Sequence, residues 1–157
     1  MVVSVLAETA READEATAAA RARLVAAVRR AAAEGMTQAE IAREIGRSQP
    51  EVSRLLHFHG TSPRARALRR HRDEIKRLVR EAGGSNVRVF GSVATGRDHA
   101  DSDIDLLFTM DKQMGLFALS ALEDAIANCV GTEVDLVPDR SIRPIFRDRI
   151  LGEAIPL

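Results

Sequence analysis

The sequence has little of what would cross-link a chain or carry it through a membrane. Its one cysteine, Cys129, excludes an internal disulfide and a zinc site built from several cysteines. No apolar run approaches the roughly 18 residues of a membrane span, and no secretory leader pattern is visible near the start. We therefore expect a cytoplasmic protein in a reducing compartment, with no membrane partner.

Aromatic residues are also scarce: they make up 3% of the 157 residues, and neither Trp nor Tyr occurs. Apolar residues nevertheless account for 45%, so a core of Ala, Leu, Val and Ile is expected and a fully disordered chain is excluded. A chain of this length suggests one medium domain or two small ones.

The formal net charge is zero, but the charge is unevenly distributed along the chain. Residues 1–83 carry 16 Lys+Arg against 11 Asp+Glu, whereas residues 84–157 carry 7 against 12. A basic half joined to an acidic half indicates two kinds of partner, with nucleic acid suited to the first and a metal to the second. The alternative is that both halves simply present solvated charge.

The first part of the chain has a helical pattern. Residues 5–34 are rich in Ala, Glu and Arg with few helix breakers, which predicts one long helix. Two Ser/Thr-x-x-Glu capping boxes then predict two short helices, one starting after Thr37 and one after Ser48, with Gly46 in the turn between them. We predict an all-α domain over residues 1–62.

Residues 37–56 are typical of a helix-turn-helix, the DNA-binding motif of bacterial repressors and sigma-factor-like domains. Its second helix would present Gln49 to adenine and Arg54 to guanine in the major groove, with Ser53 at a base or phosphate and Arg47 at a phosphate. Double-stranded DNA and a homodimer are the partners expected for such a module. The alternative is a helical hairpin used for packing or dimerisation.

A basic helix is predicted next, over residues 63–84, as a link to the second domain. Its arginines fit either further phosphate contacts or a solvated helix face, and the sequence leaves both open. They are Arg64, Arg66, Arg69, Arg70 and Arg72.

Beyond residue 84 the pattern alternates between strands and helices. We predict strands over 86–90, 103–110 and 132–137, and helices over 115–130 and 142–152. The expected fold is therefore α+β: an all-α helix-turn-helix domain followed, over residues 63–157, by a small α/β domain with a mixed sheet.

The loop after the first predicted strand carries the chemistry. Gly91 and Ser92 open a turn whose backbone N–H groups suit phosphate oxygens, and ten residues separate Ser92 from Asp103. In Asp103-Ile104-Asp105 both carboxylates lie on one face of a strand, because side chains alternate, while Ile104 faces the core. Two close carboxylates repel unless a divalent cation lies between them.

Asp135 supplies a third carboxylate. It lies between Val134 and Leu136, so it faces away from them, and it joins the other two if its strand pairs beside residues 103–109. Three carboxylates and triphosphate oxygens form an all-oxygen site suited to Mg²⁺ or Mn²⁺. Such ions support in-line displacement of pyrophosphate by a hydroxyl.

The Gly-Ser pair, the ten-residue gap and Ser-Asp-Ile-Asp-Leu-Leu resemble the signature of the polymerase-beta-like nucleotidyltransferases, most closely their minimal nucleotidyltransferase branch. The resemblance implies that Asp103 and Asp105 bind metal, that Asp135 is a further ligand and a possible base, and that Gly91 and Ser92 hold nucleotide phosphates. The branch often has Arg where Val93 and Thr95 stand here.

Positive charge toward the triphosphate is therefore expected from Arg97 or Arg88. The resemblance further implies transfer of AMP from ATP to a hydroxyl. Members of the branch are often antitoxins that adenylylate a HEPN-family toxin RNase, and a fused DNA reader suits an antitoxin that represses its own operon.

Two other functions are compatible with the sequence. One is an aminoglycoside-type nucleotidyltransferase that acts on a small molecule, which extra acidic residues around the pocket would favour. The other is a non-catalytic transcriptional regulator whose second domain only senses nucleotide.

Overall fold

The computed structural model describes residues 2–157, with the side chains of residues 5–17 and 19–157. The chain divides into two compact units, Met1–Leu56 and His57–Leu157. None of the helices in the described part is long and apolar enough to cross a membrane.

The first unit contains three helices: α1 (Val2–Ala33), α2 (Gln38–Ile45) and α3 (Gln49–Leu56). The Thr37 hydroxyl accepts from the Glu40 N–H, and Glu40 accepts from the Thr37 N–H at 2.8 Å, so the first capping box is formed as predicted. The same reciprocal pair forms between Ser48 and Glu51.

Between α2 and α3, Gly46 adopts the left-handed conformation (φ 64°) that closes the first of these short helices. Four residues of these two short helices are buried together with one residue of α1. The core of the unit consists of Val28, Ile41, Ala42, Val52 and Leu55. The two short helices that the capping boxes predict are therefore present and pack on each other.

The second unit is built on a four-stranded sheet of β1 (Gly84–Phe90), β2 (Ile104–Met110), β3 (Val134–Pro138) and β4 (Ile155–Pro156), in the order β3-β2-β1-β4. Strands β2 and β3 are parallel, whereas β1 pairs antiparallel with both β2 and β4, so the sheet is mixed, as predicted. Its α-helices are α4 (Pro63–Arg70), α5 (Arg72–Glu81), α6 (Gly91–Thr95), α7 (Leu116–Val130) and α8 (Pro144–Glu153).

Strand alternation gives this sheet two apolar faces. One face packs Ile104, Leu106 and Phe108 with side chains of α4, α5 and α7. The other face packs a smaller cluster around Phe90 and Leu107. Aspartates that alternate with the core residues of β2 and β3 therefore lie on the second face, with α8.

Two details differ from the sequence prediction. The helix expected over residues 63–84 is two helices, because His71 (φ −101°, ψ 12°) interrupts it and the chain enters β1 already at Gly84. Strand β4 was not predicted, because it consists of only two residues, Ile155 and Pro156, which are too few to show a periodic pattern. They acquire strand geometry only by pairing with Arg88 and Val89.

Candidate active site

The backbone register of β2 and β3 brings two of the predicted acidic residues side by side. In this parallel pair Asp105 lies opposite Asp135, while the flanking Ile104 and Leu136 are buried on the other face. At the start of β2, the Ile104 N–H donates to the carbonyl of Glu133, the residue just before β3, at 3.0 Å. Asp103 therefore enters the strand end directly beside the pair.

Gly91 leaves the space that the Asp105 carboxylate fills. It has φ +70°, and a Cβ built on it would lie 2.2 Å from Oδ2 of Asp105. No side chain fits there, and the left-handed backbone itself disfavours one. The close approach of the Gly-Ser turn to the strand carboxylate thus depends on glycine at this position.

The electrostatics of Asp105 reflect this crowding. Burial raises the pKa of Asp105 most, and the negative charges of Asp135, Asp103 and Glu153 act in the same direction, which together bring that pKa to about 6. Asp103 and Asp135 therefore both lie close enough to act on Asp105. Below about pH 6 the Asp105 carboxyl is held protonated; above that pH it is an ionised group surrounded by like charge.

Glu153, at the end of α8, was not predicted as part of the site. A glutamate near the end of a surface helix has no local feature that separates it from a solvated residue. Its proximity to Asp105 arises from the packing of α8 against β1 and α6, a long-range contact that no spacing in the sequence encodes.

The donor set fits a hard divalent cation, because it is made of carboxylate oxygens only and its central member, Asp105, is half-buried among like charges. Across residues 2–157, however, no three His, Cys, Asp or Glu side chains are already arranged around one metal position. Asp103 and Asp135 are exposed, so rotation of their side chains is what would close a ligand set around Asp105.

The predicted phosphate-binding residues are placed differently from one another. Ser92 is half-buried in α6, and its carbonyl accepts the Arg97 N–H at 2.9 Å, which closes the turn. The Arg97 side chain is exposed in the loop that leaves α6. Arg88 is not available as the alternative cation, since its guanidinium pairs with Asp139 at 3.2 Å and both side chains are largely buried.

Residues 68–157 match the sequence model of the nucleotidyltransferase domain family. The chain belongs to that family. Protein adenylyltransferase MntA of Thermococcus cleftensis is 31% identical over 80 residues, which are 51% of this chain and 81% of that protein. A Methanocaldococcus jannaschii protein, named for an inferred protein adenylyltransferase activity, is 34% identical over 87 residues, 53% of this chain and 94% of that protein.

The fold agrees with the family. A solved structure described as that of an inferred minimal nucleotidyltransferase superposes with a TM-score of 0.54 and 39% identity, over 59% of this chain and 94% of that one. The resemblance inferred from Gly91, Ser92 and the aspartates is thereby confirmed at the level of the family. The family match begins at residue 68, so it does not include the predicted helix-turn-helix over residues 37–56.

In the first unit, the residues predicted to read DNA lie on α3 and the turn before it. Arg47, Gln49 and Arg54 are exposed, and Ser53 is half-buried. Arg47 forms an ion pair with Glu51 at 3.7 Å, and Nε of Arg54 donates to the Pro50 carbonyl at 3.3 Å. Both contacts are local to the helix and solvent-exposed, so each contributes little to stability.

Gly91→Ala tests the close approach in the nucleotidyltransferase domain. The added Cβ collides with Asp105, so we expect loss of nucleotidyl transfer together with a fall of about 1–2 kcal/mol in the free energy of unfolding from the left-handed backbone. Activity assays and chemical denaturation measure the two effects.

Gly96→Ala is the matched control, because Gly96 has φ +73° and a Cβ added to it would meet no atom within 4 Å. It should lose similar stability and keep its activity. Equal activities in the two variants would contradict the steric argument.

Proposed function

We propose that this chain is a Mg²⁺-dependent nucleotidyltransferase that transfers AMP from ATP to a hydroxyl of a protein. The observation that carries the proposal is the Asp105–Asp135 register beside a glycine that admits no side chain. A half-buried carboxylate with a raised pKa, next to two more carboxylates, is costly for a domain unless it serves a site.

In this proposal Asp103, Asp105 and Asp135 hold Mg²⁺ or Mn²⁺. The bound ion supplies positive charge against the triphosphate and lowers the pKa of an acceptor hydroxyl. Gly91 lets the phosphates approach the strand ends, the Ser92 hydroxyl donates to a phosphate oxygen, and Arg97 adds positive charge from the loop.

Among the three carboxylates, Asp135 is solvent-exposed, and we propose that it accepts the proton of the attacking hydroxyl. The hydroxyl oxygen bonds to the α-phosphorus of ATP, the bond from that phosphorus to the bridging oxygen breaks, and pyrophosphate leaves.

A protein acceptor is favoured over a small molecule by the relatives. Two of them carry names that refer to protein adenylyltransferase activity, and the match to this chain covers 94% and 81% of their lengths. By its likeness to the minimal nucleotidyltransferase branch, we infer that the acceptor is a HEPN-type toxin and that the chain is its antitoxin. Glu153 adds one acidic residue beside the site, so aminoglycosides are included below as competing acceptors.

We further propose that the helix-turn-helix binds operator DNA and represses the operon that encodes the chain. Support comes from the two short capped helices, the left-handed Gly46 turn and the exposed Arg47, Gln49 and Arg54. In such motifs the second helix lies in the major groove, and its first residues contact base edges. Repression by a homodimer is expected, because operators are commonly two-fold symmetric.

The transfer reaction is tested with labelled ATP, Mg²⁺ and the toxin encoded beside this chain. Asp103→Ala and Asp105→Ala should each lower label transfer by about a thousandfold, since stabilisation of transition-state charge by a metal is worth several kcal/mol. Asp111→Ala is the control: it removes an exposed carboxylate just past the opposite end of β2.

Three outcomes of that assay contradict the proposal. Full activity of Asp103→Ala or Asp105→Ala removes the metal assignment. Label on an aminoglycoside instead of the toxin identifies a small-molecule enzyme. No transfer to any acceptor, with operator binding intact, identifies a non-catalytic regulator.

Arg54→Ala tests the DNA-reading role. Loss of a good base contact should weaken operator binding by about 1–3 kcal/mol and leave binding to unrelated DNA unchanged. Arg47→Ala, which removes a proposed phosphate contact, should weaken binding to both DNAs and reduce its salt dependence. Titrations on operator and scrambled duplexes measure this, and an Arg54→Ala variant with unchanged operator affinity would exclude Arg54 from base reading.

A further inference from the structure

Arg64, on α4, is bonded to the loop that leads to the candidate metal ligands. Its Nε donates to the carbonyl of Ser102, and its Nη2 donates to the carbonyl of Ala100. From the sequence, Arg64 could either contact a phosphate or lie on a solvated helix face. The side chain instead lies half-buried and bonded within its own unit, with its charge directed at two backbone oxygens.

The loop is also closed by two hydrogen bonds between His99 and Ser102. The His99 N–H donates to the Ser102 hydroxyl at 2.9 Å, and the Ser102 N–H donates to the His99 carbonyl at 3.0 Å. Arg64 contacts the carbonyls of Ala100 and Ser102, which take no part in these two bonds within the loop. Residues 99–102 are thereby fixed both as a turn and against α4.

Asp103 follows this turn immediately and precedes β2. Strand β2 begins at Ile104, whose N–H donates to the Glu133 carbonyl, so the sheet fixes the chain from that residue onward. The direction in which Asp103 enters the strand is therefore set by the turn before it. Hydrogen bonds from a charged donor to backbone carbonyls are stronger than neutral ones.

We propose that Arg64 is a positioning residue that sets the place of Asp103 by anchoring the Ala100–Ser102 backbone to α4. The fork of a guanidinium suits two carbonyls at once, which a lysine ammonium does not reproduce. Arg64 lies before residue 68, where the family match begins, so this anchor belongs to the segment of the chain that precedes the matched domain. The role in metal binding rests on the proposed function; the anchoring of the loop does not.

Amide hydrogen exchange on the full chain tests the anchor. Arg64→Ala should speed exchange at the His99 and Ser102 amides by about tenfold or more, since two charge-assisted bonds that hold the turn are lost. Leu68→Ala is the matched control, because it removes a fully buried side chain from the same helix without touching the loop. Leu68→Ala should destabilise the whole unit without singling out the His99 and Ser102 amides.

The consequence for Asp103 is measured as Mn²⁺ affinity, under conditions where each variant is folded. Arg64→Ala should bind Mn²⁺ about tenfold more weakly than wild type, Arg64→Lys should fall between them, and Leu68→Ala should match wild type. Loop exchange unchanged in Arg64→Ala would overturn the proposal, as would faster exchange with unaltered Mn²⁺ affinity. If the wild-type chain transfers no nucleotide, the proposed function fails. Faster loop exchange and weaker Mn²⁺ binding in Arg64→Ala would still support the positioning role.

Discussion

Asp105 and Asp135 occupy the same register position on two neighbouring parallel strands, so their carboxylates face the same way across one strand spacing of about 4.8 Å. Apolar residues on either side fix that register. Ile104, Leu106 and Leu136 must stay buried, and a slip of one residue would turn them outward together with the aspartates inward. The core of the domain thus maintains a juxtaposition of like charges that electrostatics alone would disperse.

The same juxtaposition explains the surroundings of the site. Gly91 is needed because the Asp105 carboxylate occupies the space where a side chain would be. The pKa of Asp105, about 6 against an ordinary 3.8, means that folding favours its protonated form. Below the ordinary pKa no penalty exists; as the pH rises from there through about 6, the metal-free fold loses stability, and the loss persists at higher pH. A divalent cation bound to these carboxylates would offset that loss of stability at neutral pH.

Short-range patterns allowed much of this to be predicted. Alternation placed Ile104 inward and the two aspartates of its strand outward, and capping boxes at Thr37 and Ser48 located the starts of two helices. What escaped prediction depends on distant parts of the chain meeting. Glu153 reaches the site through helix packing, and Arg64 reaches a loop more than thirty residues away. An arginine in a basic helix offers no local sign of which carbonyls it will meet.

The proposed function depends most on whether the crowded carboxylates around Asp105 form a divalent-cation site. Mn²⁺ binding to the wild-type chain, followed by electron paramagnetic resonance at pH 8 and pH 5, tests it without substrate or acceptor. Because a proton on Asp105 competes with the ion, affinity should be about tenfold weaker at pH 5, and Asp105→Asn should bind poorly at both pH values. Equal affinity at the two pH values, or an Asp105→Asn chain that binds Mn²⁺ as tightly as wild type at pH 8, would contradict it.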